Sequence, residues 1–400
     1  MADAFLIRMA EKPLYERNFL PEITELSPEQ LEVLRYPLSK DLLVSGPAGS
    51  GKTVLAIYRH NAYAEKEGEL LTFTNMLKNY IAKHLNDQQI TIEAKGIFEY
   101  VKDESGITVP PFAQNIDFEI TADNATKWAI DRKNTLDFII ADEAQDFHNG
   151  HLGFISNYAE RLTLFADDAQ TLYDHGHSTI EIIGKMRLEY KKRKIERKDL
   201  TGNYRNQPTV AKFANAFYRN RNDEPLPSAI LEGEPEEVRI FIGENEENLG
   251  INLFKQVKAY TNSMADQTPK IGILTQNFNV LTKVKEVFEN NHYEVTSASN
   301  GIMENGENIF SAADPIIMSM VAAKGLEFDY VVIPYFDYDE LERDRPNNYE
   351  QITFTAITRA RRSVAIFIMN DQENFLKKLV ILIINNIMFR SNYVDRTFNR

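Results

Sequence analysis

Gly46-Pro47-Ala48-Gly49-Ser50-Gly51-Lys52-Thr53 follows the apolar run Leu42-Leu43-Val44 and precedes Val54-Leu55-Ala56-Ile57-Tyr58, a stretch with helical spacing. A glycine-rich turn ending in Lys-Thr between a strand and a helix has the pattern of a phosphate-binding loop. Glycine lets the backbone wrap tightly, so that its N–H groups and the following helix N-terminus converge on a polyphosphate. In this reading Gly46, Gly49, Ser50 and Gly51 form the cradle. Lys52 brings positive charge to the outer phosphates, and the Thr53 hydroxyl is placed for Mg²⁺. A nucleoside triphosphate is the expected ligand. The loop alone does not specify which one, or what its hydrolysis drives.

Outward from the loop, the first half of the chain repeats one arrangement: a short run of β-formers followed at once by polar residues. Leu70-Leu71-Thr72-Phe73 leads into Thr74-Asn75, Phe138-Ile139-Ile140-Ala141 into Asp142-Glu143, and Leu162-Thr163-Leu164-Phe165 into Asp167-Asp168. Parallel sheets present their sites in this way, at the carboxyl ends of the strands, with helices on both faces. After Lys198 the arrangement restarts, with strands expected at 238–242, 271–274, 316–318, 331–333 and 364–368. The expected organisation is α/β, with RecA-like domains over 1–199 and 200–400 and a small inserted subdomain at about 81–135.

Composition sets the outer bounds. The chain has 400 residues, 43% apolar and 26% charged, as expected of an ordinary globular protein. It has no cysteine, which excludes disulfides, thiolate metal sites and a thiol nucleophile. The apolar run Leu379–Met388 is interrupted by Asn385-Asn386 and is too short to span a bilayer. With no basic segment ahead of a hydrophobic one at the N-terminus, the expected location is cytoplasmic, with no membrane partner. The net charge of −14 opposes generic polyanion binding, although local patches override a mean field. The stretch Lys185–Lys198 holds eight Lys/Arg and reads equally as a solvated helix face or a nucleic-acid contact. Trp128 is expected in the core.

Triphosphate hydrolysis requires a metal holder, a group that polarises water, and cations for the γ-phosphate. Asp142 and Glu143, after a buried strand, fit the first two roles. At this point the chain resembles superfamily 1 helicase motors of the UvrD/Rep type, through short motifs in the family's order. Ser27-Pro28-Glu29-Gln30 resembles the Q motif, and Thr72-Phe73-Thr74-Asn75 the motif that touches the nucleic-acid backbone. Ala166-Asp167-Asp168-Ala169-Gln170-Thr171-Leu172-Tyr173 resembles the third motif, and Asn203-Tyr204-Arg205 the fourth. Lys324-Gly325-Leu326-Glu327-Phe328 and Thr358-Arg359-Ala360-Arg361 resemble the fifth and sixth.

The resemblance implies ATP and Mg²⁺ as ligands, bound in a cleft between the RecA-like domains. It implies that Gln30 reads the adenine, Tyr204 packs on it and Glu327 binds the ribose. Gln170 would sense the γ-phosphate, with Arg205 and Arg359 as arginine fingers. Phe73, Thr74, Asn75, Tyr173, His175 and Ser319 would meet nucleic acid. The implied activity is an ATP-dependent translocase or helicase on single-stranded DNA, moving 3′ to 5′, with RNA as the other candidate polymer.

Three positions depart from the family pattern at the polymer track: His175 stands in place of a tryptophan, Ser319 of a threonine and Val321 of a histidine. The space between Asn290 and Ser311 is too short for the second accessory subdomain of that family. These departures motivate an alternative function, an ATP-driven regulatory or loading subunit that switches a protein partner such as a nuclease. The pair His175 and His177, with no further ligand set in sequence, does not read as a zinc site.

Overall fold

A computed structural model describes residues 20–63, 65–87, 92–108, 117–132, 135–190, 193–218, 228–229, 237–263, 269–297, 315–370 and 374–377. These fall into two compact units, the first running to Gly202 and the second starting at Asn203. Both are α/β units with a parallel sheet flanked by helices, as in RecA-like domains. The Leu379–Met388 run lies outside the described residues.

In the first unit the chain enters through α1 (Pro28–Arg35). Its start is fixed by a reciprocal cap: Ser27 Oγ accepts the Gln30 N–H at 3.3 Å, and Gln30 Oε1 accepts the Ser27 N–H at 2.9 Å. The elements then alternate: β1 (Leu42–Ser45), α2 (Lys52–Ala62), β2 (Gly68–Thr72), α3 (Asn75–Asp87), β3 (Ala94–Gly96), α4 (Ile97–Ser105), α5 (Asp117–Asp131), β4 (Leu136–Ala141), α6 (Asn149–Tyr158), β5 (Ala159–Ala166), α7 (Thr179–Leu188) and β6 (Glu196–Asp199). The six strands lie in the order β3-β2-β4-β5-β1-β6, every neighbouring pair parallel. Continuous apolar runs such as Phe138–Ala141 follow from this, because helices cover both faces of the sheet.

The stretch 81–135 is built into this unit wherever it is described. Its β3 extends the sheet beside β2, and Ile97, Tyr100, Val101, Ala125 and Ala129 enter the same core as Leu43, Leu71, Ile139 and Leu164. A separate subdomain would need a core of its own. Here the apolar faces of α4 and α5 are spent on the shared one. Trp128 packs at the edge of that core, stacked on Phe154 at 5.9 Å with the Arg132 guanidinium over its ring at 4.2 Å.

The basic stretch 185–198 is largely tied to its own unit. Arg193 is buried, donating to both oxygens of Asp41 at 2.9 Å and to the carbonyls of Ser156 and Glu160. Arg197 pairs with Asp199, and Lys198 with Glu32 and Glu196.

The second unit contains α8 (Pro208–Ala214), β7 (Arg239–Gly243), α9 (Glu246–Thr261), β8 (Ile271–Thr275), α10 (Phe278–Asn290), β9 (Thr296–Ser297), β10 (Ile316–Ser319), β11 (Phe328–Ile333), α11 (Tyr338–Asp344), α12 (Tyr349–Ile357) and β12 (Ala360–Met369). The sheet order is β9-β10-β8-β11-β12-β7, again with parallel pairs throughout. Leu253, Val257, Val284 and Phe288 from α9 and α10 pack on Ile273, Ile317, Val332 and Phe367 from the strands. Asn245 and Asn277 cap α9 and α10 by accepting the N–H groups three residues on, each at 2.9 Å.

Candidate functional site

In the first sheet β4, β5 and β1 are neighbours, so their carboxyl ends bring together three segments far apart in the chain. After β1 comes the glycine-rich loop, after β4 Asp142-Glu143, and after β5 Asp167 to Gln170. Thr53 Oγ1 donates to Asp142 Oδ2 at 2.6 Å, joining loop and acidic strand end across 89 residues of sequence. Lys52 is 7% exposed, with Nζ donating to the carbonyls of Gly46 (2.7 Å) and Pro47 (3.0 Å) and lying 3.5 Å from Asp167 Oδ2.

The loop needs its glycines for two separate reasons. Gly49 (φ 77) and Gly51 (φ 87) occupy the left-handed region, whereas a Cβ at Gly46 would meet Ser50 Oγ at 2.7 Å. Gln30 lies against the loop, its Nε2 donating to Ser50 O at 2.9 Å and its Oε1 holding the α1 cap. Both ends of that amide are engaged within the chain, which holds the side chain against the loop. The Ser50 Oγ is buried with no hydrogen-bond partner among the described residues.

Glu143 stands in the left-handed region at φ 59, which costs a non-glycine residue about 1–2 kcal/mol. Gln145, which no motif singles out, holds it: Nε2 donates to Glu143 Oε2 at 2.6 Å, while Oε1 accepts the Asp167 N–H at 3.1 Å. Asp167 in turn accepts from Gln170 Nε2 and from the Ala169 N–H. Lys52, Glu143, Gln145, Asp167 and Gln170 thus form one buried polar network. Burial and the neighbouring Glu143 charge push the Asp142 carboxyl up to about 6, against the lowering pull of the Thr53 hydroxyl and Lys52. Asp168, beside this network, accepts from Thr179 N (2.7 Å) and Oγ1 (3.0 Å) and so fixes the start of α7.

In the second unit Glu327 bridges two guanidinium groups. Arg205 donates to Oε1 (2.6 and 2.7 Å) and Arg361 to Oε2 (2.7 and 2.9 Å). Burial pushes the Glu327 carboxyl up, but Arg205 and then Arg361 outweigh it and hold the group well below the usual carboxylate range. Asn203 Oδ1 accepts the backbone N–H groups of Arg205 (3.1 Å) and Asn206 (3.2 Å). Asn206 Nδ2 reaches the carbonyls of Thr358 and Ala360, on either side of Arg359. Tyr204 is half-buried beside this hub.

Arg359 itself is 1% exposed and faces the interior of its unit, donating to the carbonyls of Thr355 (2.9 Å) and Leu326 (3.3 Å) and to Thr358 Oγ1 (3.2 Å). The second arginine gathered at Glu327 is Arg361, the last residue of the Thr358–Arg361 string. Ser319 is not brought to this cluster. It ends β10 at the carboxyl side of the sheet, whereas Glu327 and Arg361 lie at the amino ends of β11 and β12. Its Oγ accepts the Ala322 N–H at 3.1 Å.

The residues expected at the polymer track of the first unit divide in two. Thr74 caps α3 by accepting the Leu77 N–H at 3.1 Å, and Asn75 is exposed. Phe73, by contrast, is 6% exposed and forms the floor of a ring cluster. It packs against Tyr173 at 5.1 Å, His175 at 6.2 Å and His148 at 6.5 Å. His175 stacks with His148 at 3.5 Å and 27°, and with Tyr173 at 5.3 Å and 17°. His151, fully buried, abuts His148 and Phe98. Burial first, and neighbouring histidine charge second, lower His148 to about 2 and His151 to about 3. Burial brings His175 and His177 down to about 4. All four imidazoles are therefore neutral near pH 7. Among the described residues no group of three or more His, Asp or Glu side chains has the geometry of a metal site.

Residues 39–297, more than half of the chain, match the family described as Schlafen group 3, DNA/RNA helicase domain. The chain belongs to the Schlafen group 3 DNA/RNA helicase domain family. No curated protein matches it. The Schlafen group 3 match spans the glycine-rich loop, the Asp142-Glu143 pair, the Asp167–Gln170 segment and Arg205, and ends before Ser319, Glu327 and Arg359. Membership makes this a helicase-related chain with nucleic acid as its partner class. No helix among the described residues of this Schlafen group 3 chain is long and apolar enough to cross a membrane.

Proposed function

We propose that the chain hydrolyses ATP and couples hydrolysis to movement along a single nucleic-acid strand, in the manner of the UvrD/Rep-type superfamily 1 motors. The observation that carries this reading is the 2.6 Å contact between Thr53 Oγ1 and Asp142 Oδ2. It unites the phosphate loop with the acidic end of β4, and so pairs a triphosphate cradle with the side chains suited to a divalent cation. The donor set fits Mg²⁺, because the Thr53 hydroxyl and the Asp142 carboxylate meet beside the glycine-rich loop with Glu143 next in the chain, and the Ser50 hydroxyl of that loop is buried without a partner among the described residues. Thr53 and Asp142 would hold the ion, which when bound neutralises charge on the phosphate oxygens.

In this scheme the loop N–H groups and Lys52 bind the phosphates. Glu143, kept in place by Gln145, orients and deprotonates the attacking water. Gln170 is linked through Asp167 to Lys52, and thereby to the occupancy of the outer phosphate position. Single-stranded DNA moved 3′ to 5′ is the favoured polymer, by resemblance, and RNA is the second.

ATP turnover of the purified chain, measured without polymer and with single-stranded DNA, duplex DNA or RNA, tests the scheme. Turnover rises severalfold with a single strand, falls off as salt increases, and is lost in Lys52→Ala. Turnover insensitive to every polymer would remove the translocase reading. The alternative, an ATP-driven switch for a protein partner such as a nuclease, draws on Thr74 and Ser319, whose hydroxyls are both engaged by their own backbone. Stimulation by a copurifying protein rather than by a polymer would favour it.

A further inference from the structure

We infer that His148 is a positioning residue for an unpaired base, and that the stacked His148–His175 pair supplies the rigid ring platform for which a lone imidazole is too small. The inference rests on the single-strand reading above and concerns only the first unit. His175 by itself offers a small ring on a loop. In the structure that ring is fixed on several sides. It stacks on His148 at 3.5 Å, its Nε2 lies 3.1 Å from Asp146 O, and Phe73 closes the base of the cluster.

His148 is 1% exposed and does not itself face solvent, so any influence on a bound base passes through His175 and Tyr173. It is anchored beneath by Phe98 at 5.8 Å and His151 at 5.3 Å, and it directly precedes α6. His175 and Tyr173 remain half-buried, and their nearly parallel rings are the members of the column left partly open to a ligand. A base–aromatic contact is tolerant of sequence, because every base has a π-face, and it depends on ring orientation. Two stacked neutral rings hold that orientation where one exposed imidazole would rotate. Protonating both would set like charges about 3.5 Å apart, which disfavours the doubly charged pair.

Binding of a labelled oligothymidine, compared with an abasic strand of the same length and backbone charge, isolates the base contribution. Anisotropy at low salt is expected to show tighter binding of the base-bearing strand by the wild-type chain. His148→Ala should weaken that binding about tenfold while leaving the abasic strand unchanged. His148→Phe, which keeps a stacking ring, should restore it. His175→Ala, at the half-exposed partner, should give the same base-selective loss should His148→Ala melt too low for use. An equal loss on both strands, no loss at all, or a loss that His148→Phe leaves in place overturns the inference. A wild-type chain that binds neither strand overturns the single-strand reading and this inference with it.

Discussion

The two sheets share a parallel construction and differ in which end carries the candidate chemistry. In the first unit the loop, Asp142-Glu143 and Asp167–Gln170 all lie at carboxyl ends, and the local charge is dominated by carboxylates around Lys52. In the second unit Glu327 and Arg361 stand at amino ends of strands, joined there by Arg205, and guanidinium groups dominate. On the proposed function, the first of these ends would hold a cation and a polyphosphate. The other holds arginines in readiness around a single carboxylate. In the first sheet the loop after β1 runs into the start of α2, where backbone N–H groups collect.

The largest expected effect tests the first half of that contrast. Lys52→Ala and Glu143→Gln each lower ATP turnover by about a hundredfold or more, as expected when a charge stabiliser or water-activating group is removed from a preorganised site. Steady-state phosphate release at saturating ATP measures this, and a variant within a factor of a few of wild type would dissolve the assignment.

Glu327→Ala tests the second half. It leaves Arg205 and Arg361 facing each other without a counter-charge, their bridging carboxylate having been only 17% exposed. A loss of about 2–4 kcal/mol in unfolding free energy is expected, below the range for fully buried pairs because of that exposure. Urea denaturation provides the measurement, and an unchanged midpoint would mean that the two arginines relax freely into solvent.

The histidine column adds a pH signature to the first unit alone. His175 and His177 are lowered from 6.5 to about 4, and His148 and His151 further, so the unfolded chain takes up protons that the folded one refuses. Stability is complete above about 6.5 and is lost progressively as pH falls toward 4. Thermal melts across that window should show a steeper decline in wild type than in His151→Phe; parallel curves would argue against a neutral buried column.

The smallest effect serves as a control on both units. Breaking the exposed pairs Lys78–Glu99 (2.7 Å) or Lys283–Glu246 (2.6 Å) should change stability by less than about 1 kcal/mol. A larger change in either would show that the surface charges are coupled to the networks described above.

Much of this was legible in the sequence because its signals are local. The loop, Asp142-Glu143 and the alternation of apolar runs with helical stretches each fit within a short window, and the chemistry they imply depends on residue type and spacing. Arg205 and Glu327 were likewise identifiable as charged residues in recognisable strings, 122 residues apart. Their union in one ion-paired cluster was not, because nothing in either string states which end of a sheet it will occupy.

What the sequence determined by itself was the glycine-rich loop between a strand and a helix, the acidic strand end, and an α/β chain with parallel sheets. These follow from backbone propensity, burial periodicity and the few residue types that tolerate a tight, left-handed turn. What only the tertiary structure decided was neighbourhood. The adjacency of β4, β5 and β1 lets Gln145 reach both Glu143 and Asp167. The pairing of β3 with β2, the interior placing of Arg359 and the pairing of Arg361 with Glu327 are of the same kind. The stacking of His148 on His175 joins residues 148 and 175, which no sequence window links. The physical reason is common to all of these: hydrogen bonds, ion pairs and ring contacts act over a few ångströms in space, and only the completed fold sets which residues lie that close.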